Sequence, residues 1–127
     1  MVAKPLISVA IPAYNESANL EELWSRLTQV FDSLLSSYEF EVVICENGSQ
    51  DDSFEKLVSI RRQDNRLKIV QLSRNFHMEG GMLAALSKVT GDACVIMSAD
   101  LQDPPEMLPQ MIQKWADGAD HVYTVIT

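Results

Sequence analysis

Short apolar runs alternate with amphipathic stretches along this chain, and that alternation leaves few folds open. Leu6-Ile7-Ser8-Val9-Ala10-Ile11 reads as a buried strand stopped by Pro12. Leu20, Leu23, Trp24, Leu27, Val30, Phe31, Leu34 and Leu35 recur at spacings of three and four, which predicts a long helix with one apolar face. Asn19 with Glu22 resembles a capping box at its start. A second strand runs from Phe40 to Cys45, and Glu46 to Asp51 forms a turn. Ser49 with Asp52 can cap a helix carrying Phe54, Leu57 and Val58.

The same pattern repeats toward the end. Leu67 to Leu72 is a third strand, followed by a polar loop from Ser73 to His77 and a helix around Leu83, Leu86 and Val89. Ala93 to Met97 is a fourth strand. Asp103-Pro104-Pro105 opens a helix whose buried face is Leu108, Met111, Ile112 and Trp115, and Gly118 closes it. His121 to Ile126 reads as a fifth strand. Repeated strand-helix units predict an α/β fold: a three-layer, Rossmann-like sandwich with a mainly parallel sheet. No helix follows the fifth strand, which predicts a domain cut in mid-fold or one whose second half lies elsewhere. Its unfinished edge invites pairing with another copy, a homo-oligomer.

With 127 residues, 46% of them hydrophobic, the chain can bury one core without staples. A net charge of −8 opposes a nucleic-acid surface, although one cation in one pocket could still bind phosphate. No run approaches the roughly 20 apolar residues that span a bilayer, so the expected location is the cytoplasm. Cys45 and Cys94 sit in apolar runs and read as two buried thiols, with a core disulfide as the lesser alternative.

In an open parallel sheet, ligands bind beyond the carboxyl ends of the strands. No Gly-x-Gly-x-x-Gly and no P-loop is present, so a metal and side chains must replace a glycine cradle for any phosphate. Asp100, directly after the fourth strand, is the natural carboxylate for a hard Mg²⁺ or Mn²⁺. Asp103 competes for that role, but its place before two prolines favours a helix cap.

Four segments, quoted in order, carry a resemblance. Val9-Ala10-Ile11-Pro12-Ala13-Tyr14-Asn15-Glu16 looks like the opening of family 2 glycosyltransferases of the GT-A fold. Glu46 to Asp51 is similar to that family's Asp-Asp-Gly-Ser-x-Asp turn, and Leu72 to Phe76 to its third-strand loop. Met97 to Glu106 resembles its metal-binding Asp-x-Asp segment, especially in the branch of dolichol-phosphate-mannose-synthase-like and bactoprenol-glucosyltransferase-like enzymes. The resemblance implies that residues 1–127 are the nucleotide-sugar-binding part of such a domain. Pro12, Tyr14, Glu16, Ile44, Glu46, Ser98, Ala99 and Asp100 would line the nucleotide pocket, and Asp100 with Gln102 would hold Mg²⁺ or Mn²⁺. Arg74 would help the phosphates or be a solvated loop charge.

This chain departs from the family pattern at several positions. Ser98 stands where the first Asp of Asp-x-Asp is expected, which implies weaker metal binding. Glu46 and Asn47 replace the two Asp residues of the turn, Asn47 as an Asx-turn residue. His77 and Met78 stand where Gly followed by Lys or His is common, and His77 reads as structural rather than catalytic. The implied reaction is metal-dependent, inverting sugar transfer from a nucleoside-diphosphate sugar to an acceptor, a lipid phosphate or a glycan. The general base would lie downstream of Thr127, and the parent protein could sit on the cytoplasmic face of a membrane. The alternative is a nucleotide- or partner-binding module, or a fragment, without transfer activity.

Overall fold

The computed structural model describes residues 3–123. Four strands, β1 (Leu6–Ala13), β2 (Glu39–Glu46), β3 (Leu67–Gln71) and β4 (Ala93–Ile96), form one sheet in the order β3-β2-β1-β4. Every pairing is parallel. The helices are α1 (Ser17–Leu34), α2 (Ser53–Gln63), α3 (His77–Leu86) and α4 (Leu108–Ala116), the last preceded by a 3-10 turn at Pro105–Met107. The expected fifth strand, His121 to Ile126, extends outside the described residues, and its described part has no repetitive structure.

Strand periodicity sorts side chains onto two faces. Ile7, Val9, Ile11, Phe40, Val42, Ile44 and Leu67 join the buried faces of α1, α2 and α4 in the larger core. Ala10, Val43 and Cys45 meet α3 on the other side in a smaller one. Helices therefore cover both faces of β1 and β2, as their unbroken apolar runs require, while β4 keeps Cys94 and Ile96 exposed.

The structure shifts several details. α1 begins at Ser17, and Asn19 Nδ2 donates to Glu16 Oε2 at 2.8 Å instead of capping with Glu22. α2 begins at Ser53, and the Ser49 N–H donates to Glu46 Oε1 at 2.6 Å rather than opening the helix. Leu83 is not on the buried face of α3; it is 67% exposed. That helix rests on the sheet through Gly81 and Ala85, whose small size lets it come close. Asp103 caps no helix: its Oδ2 accepts from the Ser98 N–H at 3.0 Å, and Pro104 precedes the 3-10 turn. Cys45 is buried, but Cys94 is exposed; both thiols are free.

At the amino end of the sheet, Glu41 is buried and surrounded by donors. Ser8 Oγ donates to its Oε2 at 2.5 Å, the Thr90 N–H to the same oxygen at 2.5 Å, and Lys68 Nζ to Oε1 at 2.6 Å. The Gly91 N–H completes the network on Ser8 Oγ at 2.8 Å. Burial pushes this carboxyl up, but the hydrogen bonds from Lys68, Ser8 and Thr90 outweigh it and hold the group at about 2. The network ties β1, β2, β3 and the α3–β4 loop together at the end of the sheet opposite the strand carboxyl ends.

Candidate active site

The strand order dictates where a ligand can enter. The chain builds β1, β2 and β3 in one direction, then returns to place β4 on the other side of β1. The loops leaving β1 and β4 therefore diverge and open a crevice at this switch point. A cleft of about 310 Å³ lies there, lined by Pro12 and Ala13 at the end of β1 with Tyr14 and Glu16 beyond it, Asn47 after β2, Asn75 after β3 with His77 and Met78 at the start of α3, and Ser98, Ala99 and Asp100 after β4.

The loop after β1 is fixed by the turn after β2. The Asn15 N–H donates to Ser49 Oγ at 2.9 Å, and Asn15 Oδ1 accepts from the Gln50 N–H at 2.8 Å. The Glu16 N–H donates to Ser53 Oγ at 3.1 Å, and the Ser17 N–H to Asp51 Oδ2 at 3.2 Å. Tyr14 stays 38% exposed over the cleft, with its ring available to a planar ligand. Gly48 has φ +75, and a Cβ there would run into the backbone of Arg74 and Asn75. Gly48→Ala is expected to push the loop after β3 off the turn after β2, costing about 2 kcal/mol. Chemical unfolding measures that cost, and an unchanged midpoint would contradict the close approach.

The loop after β4 draws two carboxylates around one hydroxyl. Ser98 Oγ lies 2.6 Å from Asp100 Oδ1 and 3.1 Å from Asp103 Oδ2, donating its single proton to one at a time. The Gln102 N–H donates to Asp100 Oδ1 at 3.1 Å. The Ser98 hydroxyl and the Gln102 amide hold the Asp100 carboxyl below the usual carboxylate range, so it is ionised near neutrality. Asp100 Oδ2 meets no protein donor among the described residues. The donor set thus suits one hard cation on a single carboxylate, with phosphate and water completing the shell. No cage of three His, Cys, Asp or Glu side chains exists among the described residues.

Among the described residues, three non-glycine residues adopt the left-handed backbone, all where the chain leaves a strand at this end of the sheet: Asn15 (φ 52), His77 (φ 66) and Leu101 (φ 69). Strained backbone gathers where loops must present side chains to a ligand.

Six of the eight expected pocket residues, Pro12, Tyr14, Glu16, Ser98, Ala99 and Asp100, are brought together in the cleft. Ile44 is not; it is 1% exposed and faces the larger core, because alternation along β2 turns it away from α3. Glu46 lines a separate depression with Gly48, Ser49, Gln71, Leu72 and Ser73. The Gln102 side chain is exposed and lies outside the cleft lining, and its backbone N–H donates to Asp100 Oδ1. Arg74 stacks on the Phe76 ring at 4.0 Å and does not line the cleft. Asn47, Asn75, His77 and Met78 line it as well. Only their position after β2 and β3 signals this in the sequence, since none forms a ligand motif by itself.

A parallel sheet with a cleft at its switch point, an aromatic wall and an ionised Asp after β4 has the architecture of a GT-A-type fold. The sequence profile described as Glycosyl transferase family 2 matches residues 8–127, and the chain belongs to that family. It is 42% identical over 118 residues to an uncharacterized glycosyltransferase of Synechocystis, covering 92% of this chain and 36% of the relative. It is 39% identical over 120 residues to the uncharacterized glycosyltransferase YkcC of Bacillus subtilis, covering 94% and 36%. The chain therefore spans about a third of the length of these relatives.

Solved structures share the fold. The mannosyltransferase PcManGT from Pyrobaculum calidifontis, in complex with GDP-Man and Mn²⁺, superposes with a TM-score of 0.74 at 23% identity, over 92% of this chain and 34% of that one. S. aureus TarS 1-349 in complex with UDP gives 0.61 at 26% identity, over 87% and 33%. No described helix is long and apolar enough to cross a membrane.

Proposed function

We propose that residues 1–127 are the nucleotide-sugar-binding part of a metal-dependent, inverting glycosyltransferase. The observation that carries this reading is the convergence of Tyr14, Glu16, Ser98, Ala99 and Asp100 on one cleft at the switch point. Tyr14 offers a face to a nucleobase, and Glu16 and Ser98 offer partners for ribose hydroxyls. Asp100 would hold Mg²⁺ or Mn²⁺ through its unpartnered Oδ2, and the bound ion would neutralise charge on the leaving diphosphate. Solved relatives with this fold bind GDP-Man with Mn²⁺, or UDP, which supports a nucleoside-diphosphate donor.

With no cage of three ligating side chains among the described residues, an ion here would bind together with the nucleotide rather than before it. The acceptor, a lipid phosphate or a glycan, and the base that deprotonates it are assigned to the remainder of a longer enzyme, since the chain spans about a third of its relatives. Donor binding is thus the step expected of this chain.

Thermal-shift measurements with UDP and GDP in the presence of Mn²⁺ test the reading. One nucleotide should raise the melting temperature, and Tyr14→Ala should weaken its affinity about tenfold by removing the stacking face. No shift with either nucleotide, or an undiminished affinity in Tyr14→Ala, would contradict it.

A further inference from the structure

The wall of the cleft contributed by the loop after β3 is held by a side chain from the end of β2. Asn47 is 2% exposed. Its Oδ1 accepts from the Phe76 N–H at 3.0 Å, and its Nδ2 donates to the His77 carbonyl at 2.7 Å. The carboxamide thus grips the peptide group before Phe76 and the one after His77, bracketing the Phe76-His77 pair. His77 itself has φ 66, a left-handed conformation that a residue with a β-carbon adopts only when its surroundings enforce it. Asn75 Oδ1 adds a third restraint by accepting from the His77 N–H at 2.7 Å. Beneath, α3 approaches so closely that a Cβ at Gly81 would lie 2.8 Å from Asn47 Nδ2. The outcome of this arrangement is that His77 is among the residues lining the same cleft as Asp100.

We infer that His77 is a ligand-contacting residue of this cleft and that Asn47 is the positioning residue that holds it there. The inference rests on the donor-site reading and adds to it a specific partner for the phosphate or sugar hydroxyls of the donor. Imidazole can donate a hydrogen bond to either. A glycine at position 77 would take the same backbone without a clamp, but would bring no side chain to the ligand. Asn at position 47 is the residue the clamp requires. A carboxylate of the same size could accept from the Phe76 N–H, yet it would set an oxygen against the His77 carbonyl where a donor now sits.

The test compares the parent chain with N47D, H77A and the double variant. UDP and GDP titrations are run in Mn²⁺, and amide spectra are recorded without ligand. N47D and H77A should each weaken the bound nucleotide roughly tenfold, and the double variant should be no weaker than N47D alone. In ligand-free N47D, the amide signals of Phe76, His77 and Met78 should move while those of Ala99 to Asp103 stay in place. His77 is exposed, so H77A keeps the test open should N47D fold poorly. Parent-like binding by H77A, multiplying losses in the double variant, or unmoved signals at 76–78 would each overturn the inference while leaving the donor site standing. A parent chain that binds neither nucleotide would instead overturn the donor-site reading, and the role of His77 with it.

Discussion

Asp100→Ala should remove the gain in nucleotide affinity that Mn²⁺ gives the parent chain. Asp100 is the one carboxylate lining the cleft that combines an exposed position, an oxygen without a protein donor and a pKa held low by Ser98 and the Gln102 amide. A cation bound by one carboxylate and a diphosphate loses its protein anchor when that carboxylate goes. The expected loss is about a hundredfold in affinity with Mn²⁺ present, near 2.7 kcal/mol, and close to none in its absence. Because Asp100 is exposed, the fold should survive the change, and circular dichroism will verify it. Asp103→Asn is the companion variant. Its Oδ2 braces Ser98 from behind, so a smaller loss, about fivefold, is expected from loosening the loop. Equal Mn²⁺ dependence in Asp100→Ala and the parent would show that the ion is held elsewhere.

Glu41→Ala should be the most destabilising single change at the opposite end of the sheet. It removes the shared acceptor of Ser8, Thr90 and Lys68 and leaves the fully buried Ser8 hydroxyl without the carboxylate it donates to. Lys68 is about half exposed and can turn to water, which limits the cost to about 3 kcal/mol. For a domain of this size that corresponds to roughly 10 °C in melting temperature. The same group sets an acid limit. Its pKa falls from 4.5 to about 2 on folding, so its contribution is fully present above the unfolded value. It is lost progressively as pH drops from about 4.5 toward about 2. Urea unfolding of the parent should therefore weaken across that window, while Glu41→Gln should show a flatter dependence there. Parallel curves for the two proteins would exclude Glu41 as the group responsible.

Why some of this was legible in the sequence, and some not, follows from the range of the interactions involved. The strands and helices announced themselves because hydrophobic periodicity is local, and parallel pairing follows from alternating strands and helices. Pro12, Tyr14, Ser98 and Asp100 could be placed at strand ends for the same reason. The side of α3 that rests on the sheet is not legible, because periodicity cannot tell it for a weakly amphipathic helix. Gly81 and Ala85 decided that by close approach. Asp103 read as a cap because the two prolines behind it are a local signal, whereas its bond to Ser98 depends on how the loop closes. Ile44 was assigned by resemblance, but strand alternation turns it into the core. Glu41 and Asn47 are each a single polar letter in or beside an apolar strand. Their partners lie 49 residues away at Thr90 for the first, and 29 and 30 away at Phe76 and His77 for the second. No local pattern encodes such pairings; the sheet order creates them.

The central claim is a nucleotide-diphosphate site that a divalent ion completes through Asp100. Calorimetric titration of the parent chain with UDP and with GDP, each with and without Mn²⁺, tests it most directly. The prediction is saturable one-to-one binding of at least one nucleotide, tightened at least tenfold by Mn²⁺. Failure of both to bind a folded chain in Mn²⁺, or equal affinity with and without the ion, would contradict it.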